Sequence, residues 1–370
     1  MRRLWCGGFG FIAVEWNGFL FKSVRFAARV RLACRMKRLP KALGSDGEFY
    51  AAILIYGLAA LAAALWLGDT GWFVPLVDLS GWTGSLGAIC LVMMAVWAAR
   101  SVGKEDFASA FLGHVANWPQ RLAGVCLFLS MGVFLGIFTS VKTMMPHIAP
   151  FAYDRVLADI DRSLHGADPW TYLRWMTPFE GLIRWVYGPV AGGIMSASSF
   201  FVCVTDWERR RQYLWAFLLC WVLLGNIAPL AFMAAGPVFY HGITGSTRFA
   251  ELSDFIFGQA SAGDFTSSLP GMLWEGYTDK TPGFGMGISA FPSMHVSITT
   301  LFALAAFAMH RRIGYVMLAY LVFIVAASVH LGWHYAIDGY VSILATVIIW
   351  KLAGMRAGKA AFASRERQLA

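Results

Sequence analysis

Eight stretches of this chain run apolar for about 20 residues, the length that crosses a bilayer. They fall at roughly 49–67, 82–99, 122–141, 181–204, 213–236, 293–309, 313–332 and 338–353. The first, FYAAILIYGLAALAAALWL, carries no charge. In lipid each backbone N–H and C=O must find its partner within the segment, so each run is expected to be a helix. No long alternating pattern of the transmembrane β-barrel kind is present. The expected fold class is therefore all-α: a polytopic membrane helix bundle of about eight transmembrane helices. Composition agrees, with 58% of residues hydrophobic and 14% charged, where an ordinary soluble domain is nearer half apolar and a quarter charged. That balance excludes a disordered chain and most soluble enzymes.

The net charge of +9 raises nucleic acid as a partner, and the placement of the cations removes it. Before the first span come Arg2, Arg3, Lys22, Arg25, Arg29, Arg31, Arg35, Lys37, Arg38 and Lys41. An alternating path through the membrane puts Arg100, Lys104, Arg121, Arg209, Arg210, Arg211, Arg311, Arg312 and the basic tail on the same side. The other side holds Lys142, Arg155, Arg162, Arg174, Arg248 and Lys280, with Arg184 inside a span. Cytoplasmic loops are enriched in Lys and Arg, so both termini are expected in the cytoplasm and the connections 142–180 and 237–292 outside. The charge records orientation, and the partner it implies is a lipid bilayer. A multi-pass protein of the bacterial inner (plasma) membrane type is expected, its outer loops facing the periplasm or exterior.

Three regions are expected: a basic cytoplasmic stretch 1–48, a transmembrane domain 49–353 and a basic cytoplasmic tail 354–370. Within the first, KSVRFAARVRLACRMKRLPK reads as a positive flank of the first span, or as a helix on the lipid surface. Cys6 and Cys34 fall in the cytoplasmic stretch, and Cys90, Cys126, Cys203 and Cys220 within spans. With none in an outer loop and no C-x-x-C, disulfides and thiolate metal sites are not expected.

Ionisable residues at span ends are costly in lipid and draw functional attention. GISAFPSMHVS (287–297) opens the sixth span, and SVHLGWHYAIDGY (328–340) joins the seventh to the eighth. The orientation read from Lys and Arg puts His295, His334, Asp338, Lys142 and Arg184 near one membrane face. His334 and Asp338 are spaced i, i+4, which on a helix places both on one side. A carboxylate there accepts the proton of one ring nitrogen and leaves the other as a nucleophile or base. Pro292 suits a first helical turn, so the amides of Ser293, Met294 and His295 would form a phosphate cradle. His295 is placed to protonate a departing oxygen, and Lys142 and Arg184 to offset phosphoryl charge. His330, His334 and Asp338 also form a possible metal series, but no Glu stands beside the first His to act as base, so no metal and no other cofactor are expected.

At these residues the chain resembles the type 2 phosphatidic acid phosphatase superfamily, whose motifs are K-x6-R-P, P-S-G-H and S-R-x5-H-x3-D. KTMMPHIAP (142–150), FPSMH (291–295) and HYAID (334–338) resemble the three in turn. GISAFPSMHVS and LGWHYAIDG, with LADIDRSLHGADPW (157–170) and AAGPVFY (234–240), resemble the inositol phosphorylceramide synthase branch. The resemblance covers about 120–350. It implies that His334 takes the phosphoryl-type group as a phosphohistidine and that Asp338 orients it. It also implies that His295 protonates the leaving group and deprotonates the acceptor, while Lys142 and Ser293 contact phosphate. Two motif arginines are absent: Ala149 and Ser328 hold their places. Arg184, Arg155, Arg174 or His330 are candidates to replace them. Fewer cations favour a monoanionic phosphodiester over a dianionic monoester. The expected activity is a lipid phosphotransferase that moves a phospho-headgroup or phosphoryl group from a membrane phospholipid donor to a lipid alcohol. A lipid phosphate phosphatase with water as acceptor is the alternative, and a non-enzymatic transporter or flippase, which calls for charges deep in the spans, the second.

Overall fold

The computed structural model describes residues 39–101, 118–258, 265–281 and 286–369. Most of the basic stretch 1–48, Cys6, Cys34 and Lys104 lie outside them. Among the described residues there is no strand. The membrane body is built from α1 (Gly47–Trp66), α2 (Leu79–Ser101) and α3 (Trp118–Ile148), and then, past an outer helix α4 (Asp154–His165), from α5 (Ala191–Val204) and α6 (Arg210–Leu219). It closes with α7 (Met294–Met309), α8 (Arg311–His330) and α9 (Ala336–Leu369). Among the described residues, six helical segments are long and apolar enough to cross a membrane: 47–66, 119–148, 169–204, 210–231, 311–330 and 336–355. Two shorter apolar helices, Leu79–Ala95 and Met294–Met309, stand where the other two expected runs fall. The chain is thus an all-α polytopic membrane bundle. The final helix continues unbroken to Leu369, so the last span and the basic tail are one rod.

Two runs differ from plain α-helix for a local reason. The segment leading into α5 passes through a 3₁₀ stretch Pro169–Phe179, a helical turn Glu180–Trp185 and a π-helical turn Val186–Val190 that contains Pro189. Beyond Leu219, α6 continues as π-helix through Cys220–Ile227 and ends at Ala231. The 213–236 run therefore stops short of its apolar end, and residues 232–236 are an irregular segment closed by Gly236 at φ 99°.

Apolar packing binds the bundle. One buried cluster joins α1, α3, α5, α6 and α9 around Phe128, Phe134, Tyr213 and Phe217. Another gathers the outer segments against α8 around Ala158, Ile256, Ile324 and Tyr335. α7 is buried along most of its length and packs chiefly against α8 and α9. Leu54, Ile55 and Leu58 on α1 are exposed apolar side chains, as a lipid-facing surface requires. At the end assigned to the cytoplasm, Arg210 grips Asp46 through two bonds of 2.6 and 2.7 Å, and Arg211 pairs with Glu48 at 2.6 Å. These pairs put the starts of α1 and α6 on one face, as the cation pattern demands.

The opposite end is held by carboxylates from α4, an amphipathic helix stopped by Gly166 at φ 82°. Asp154, Leu157, Ala158 and Asp161 form its buried face, the helical i, i+3, i+4, i+7 pattern. Asp161 accepts from the amides of Ala336 at 2.6 Å and Ile337 at 2.9 Å, the opening donors of α9. Asp154 accepts from the amides of Ala235 and Gly236, both at 2.9 Å, and from the Tyr335 hydroxyl at 2.8 Å. Burial pushes both carboxyls above their ordinary pKa, and these donated hydrogen bonds oppose the shift. Nearer the surface, Arg248 binds Asp168 at 2.6 Å and Asp159 at 2.5 Å.

Asp161→Ala leaves two opening amides of α9 without their acceptor and removes a negative charge from a helix N-terminus. A loss of roughly 2–4 kcal/mol is expected, at about 1–3 kcal/mol per orphaned group, read as a lowered thermal midpoint in detergent. Asp159→Ala, at a pair whose carboxylate side chain is 72% exposed, should cost under about 1 kcal/mol.

Candidate active site

A cavity of about 590 Å³ opens between α2, α3, α5, α6 and α7. Its wall is apolar over most of its extent, with Trp82, Leu135, Phe138, Trp221, Ile298 and Phe302 among its residues. Lys142, His295 and His334 meet in it, from the end of α3, the start of α7 and the link between α8 and α9. Both π-helical turns border it, through Gly188 and Pro189 in one and Trp221 and Gly225 in the other. Such turns re-aim side chains out of the regular helical row and recur at functional sites. Here the first delivers Tyr187, whose ring stacks on His295 at 4.2 Å between centroids and 21° between planes.

His334 does not sit on a helix beside Asp338. It lies in the link 331–335 and Asp338 in the first turn of α9, so helical i, i+4 geometry does not set their contact. The ring Nδ1 donates to the Ala290 carbonyl at 2.6 Å, while Asp338 Oδ2 stands 3.4 Å from the same nitrogen. Asp338 Oδ2 instead accepts the Tyr335 amide at 2.9 Å, and Oδ1 is buried with no hydrogen-bond partner. The carbonyl fixes the Nδ1–H tautomer, so Nε2 carries the lone pair. Burial, then the neighbouring His295 and Lys142 charges, lower the His334 pKa to about 3 against the pull of the Ala290 carbonyl. The ring is therefore neutral throughout the physiological range.

The start of α7 also departs from expectation. The helix begins at Met294, and Ser293 is its N-cap, with Oγ accepting from the Val296 amide at 3.4 Å. Pro292 precedes the cap rather than occupying the first turn. Ser293 is fully buried and holds the helix end, leaving the amides of Met294 and His295 ahead of the first intrahelical bond, Ser297 to the Ser293 carbonyl at 2.9 Å. An oxyanion near His295 would meet those two donors.

Arg184 and His330 are not on the cavity wall. Arg184 is buried against Glu180, which takes its Nε at 2.8 Å and a second guanidinium contact. His330 is buried at the end of α8, its Nε2 without a hydrogen-bond partner among the described residues and the ring of Phe255 beside it. Arg155 donates to the Thr244 carbonyl at 2.9 Å and Arg174 to Glu251 at 2.5 Å. Ser328, at the missing arginine's place, lies beneath the His334 link, its carbonyl accepting from the Trp333 and His334 amides at 3.1 and 3.3 Å. Lys142 is the one Lys or Arg among the described residues lining the cavity.

A sequence profile of the PAP2 superfamily matches residues 155–352. The chain belongs to the PAP2 superfamily. Membership points to an activity of the lipid phosphatase or phosphotransferase type. The matched stretch includes both histidines of the cavity and begins after Lys142 and the helices before it. No curated protein and no solved structure matches the chain.

Sequence reasoning passed over three kinds of residue. Asp78 lines the cavity, and its signal was a carboxylate in a short outward loop that holds no cation. Tyr187 follows from the π-turn, which sequence periodicity does not reveal. Asp154 and Asp161 stood within the quoted LADIDRS segment, where their spacing of seven places both on one helix face.

Gly236 tests the positioning of His334. A Cβ there would fall 2.6 Å from the Trp333 carbonyl oxygen, on a backbone at φ 99°. Gly236→Ala should push the Trp333–His334 peptide and cost about 1–3 kcal/mol in strain. Gly245→Ala has φ 70° with open space around it and carries the backbone strain alone. Turnover by the folded Gly236 variant should fall well below that of the Gly245 variant.

Proposed function

We propose that this protein is a lipid phosphotransferase that moves a phospho-headgroup from a membrane phospholipid to a lipid alcohol, through a covalent adduct on His334. The observation that carries this is the Nδ1–H···O=C bond from His334 to Ala290, at 2.6 Å, beside Lys142 and His295 in an apolar-walled cavity. A bonded Nδ1 leaves Nε2 as an available nucleophile, and the apolar wall suits acyl chains.

In the first half-reaction Nε2 of His334 attacks phosphorus. The bond from phosphorus to the diacylglycerol oxygen breaks, and His295 gives that oxygen a proton. In the second, His295 takes the proton of an incoming hydroxyl, whose oxygen attacks phosphorus and releases His334. Lys142 and the amides of Met294 and His295 bind the non-bridging oxygens, where negative charge develops. Tyr187, stacked on His295, holds that ring at the leaving-group side. Asp338 supports the link through the Tyr335 amide. A single cavity cation among the described residues suits a phosphodiester, which carries one negative charge, and so favours transfer over monoester hydrolysis. The reading places the site on the periplasmic or exterior face, because Lys142, His295 and His334 stand at the span ends opposite the basic loops. A ceramide or another lipid alcohol is the acceptor this reading favours.

The test is incubation of purified protein with headgroup-labelled phospholipid, with and without ceramide or diacylglycerol. A new labelled lipid that requires the added alcohol is the expected product, with His334→Ala and His295→Ala each lowering its formation at least about 10²-fold. Water-soluble label released without an acceptor would make water the acceptor and the protein a phosphatase. Full turnover by a folded His334→Ala variant would overturn the covalent mechanism.

A further inference from the structure

Asp78 is the one carboxylate among the described residues lining the cavity. It comes from the link between α1 and α2, in a part of the chain that the superfamily match leaves out. Its Oδ2 accepts the Thr139 hydroxyl at 2.7 Å, and the side chain is 7% exposed. Thr139 and Lys142 are spaced i, i+3 on α3, so they share a face of that helix, and both line the cavity. The hydrogen bond therefore stations Asp78 on the same wall as Lys142, and the two charges sense one another. Among the described residues no donor is assigned to Oδ1 of Asp78.

Two chemical consequences follow. First, a carboxylate beside Lys142 partly cancels the positive field that a phosphate would find there, and inside a low-dielectric cavity that cancellation reaches further than in water. A dianionic phosphomonoester loses more by this than a monoanionic diester. Second, a carboxylate that lines the cavity with a spare oxygen gains from a bound partner that brings an O–H or N–H, because an acceptor cut off from water and left unmet is costly. A site arranged to bond a substrate donor rejects analogues lacking it far more strongly than an apolar pocket does.

We propose that Asp78 selects the donor lipid: it takes a hydrogen bond from a hydroxyl or ammonium on the headgroup of a phosphodiester, and it disfavours phosphomonoesters. This rests on the transferase reading above and names the substrate class of that site. Hydroxylated headgroups and aminated ones share the chemistry, and the test separates them.

The experiment compares kcat/KM of the wild type and Asp78→Asn for five lipids in mixed micelles. Phosphatidylinositol and phosphatidylglycerol carry headgroup hydroxyls, and phosphatidylethanolamine carries an ammonium. Phosphatidylcholine has no headgroup donor, and phosphatidic acid is the monoester. Asn keeps an acceptor for Thr139 and loses the charge, so a structural role alone would leave the preferences unchanged. The wild type should favour at least one donor-bearing diester over phosphatidylcholine by tenfold or more, and whichever it favours tells hydroxyl from ammonium. Asp78→Asn should cut that ratio at least tenfold, mainly through KM, and raise the relative use of phosphatidic acid. An equal effect of the substitution on all five lipids, or none, would overturn the proposal. So would a wild type without preference, which needs no variant to fold. Failure of the transferase reading looks different: it appears as turnover that survives His334→Ala, or as a wild type inactive on every lipid.

Discussion

The two carboxylates of α4 fix the backbone from which His334 enters the cavity. Asp161 takes the opening amides of α9, and Asp154 takes the Ala235 and Gly236 amides and the Tyr335 hydroxyl. Between those anchor points runs the link that carries His334. Helix ends and irregular backbone at a membrane face leave amides without intrahelical partners, and here acidic side chains from a neighbouring outer helix supply the acceptors. The 234–236 segment fastened in this way holds the next layer in turn, since the Ala234 carbonyl accepts the Ala290 amide at 2.8 Å. The Ala290 carbonyl then receives the His334 ring proton. A chain of bonds thus runs from α4 to the tautomer of one histidine.

That chain alters the part expected of Asp338. A carboxylate four residues after the histidine was the natural candidate to hold the ring proton, yet a backbone carbonyl from another segment holds it. Asp338 instead receives the Tyr335 amide and fixes the link from inside α9. A carbonyl is uncharged, so the proton on Nδ1 is retained without the pull that an ionised carboxylate would exert, and the ring stays neutral in its buried place.

Much of the architecture could be read from sequence because lipid enforces it. Apolar length decides which segments are helices, and the two faces separate by their cations, so the convergence of Lys142, His295 and His334 at one end was visible from charge placement. What escaped depends on tertiary contact. The π-turns at Val186–Val190 and Cys220–Ile227 leave hydropathy unchanged while turning Tyr187 and Trp221 toward the site. Arg184 and His330 stand at a suitable depth, but Glu180 engages Arg184 away from the cavity, and His330 is buried beside Phe255 off the cavity wall. Depth along a helix can be counted in residues; the direction a side chain faces depends on what its neighbours offer.

The central claim is that Nε2 of His334 is the atom that bonds to phosphorus. Rapid quenching of wild-type protein with a headgroup-labelled phospholipid and no acceptor, followed by mass spectrometry of the peptide holding residues 331–340, tests it most directly. The account predicts a base-stable, acid-labile adduct of phospho-headgroup mass on His334 that disappears when a lipid alcohol is added. Full turnover with an unmodified His334, or the label on another residue, would contradict it.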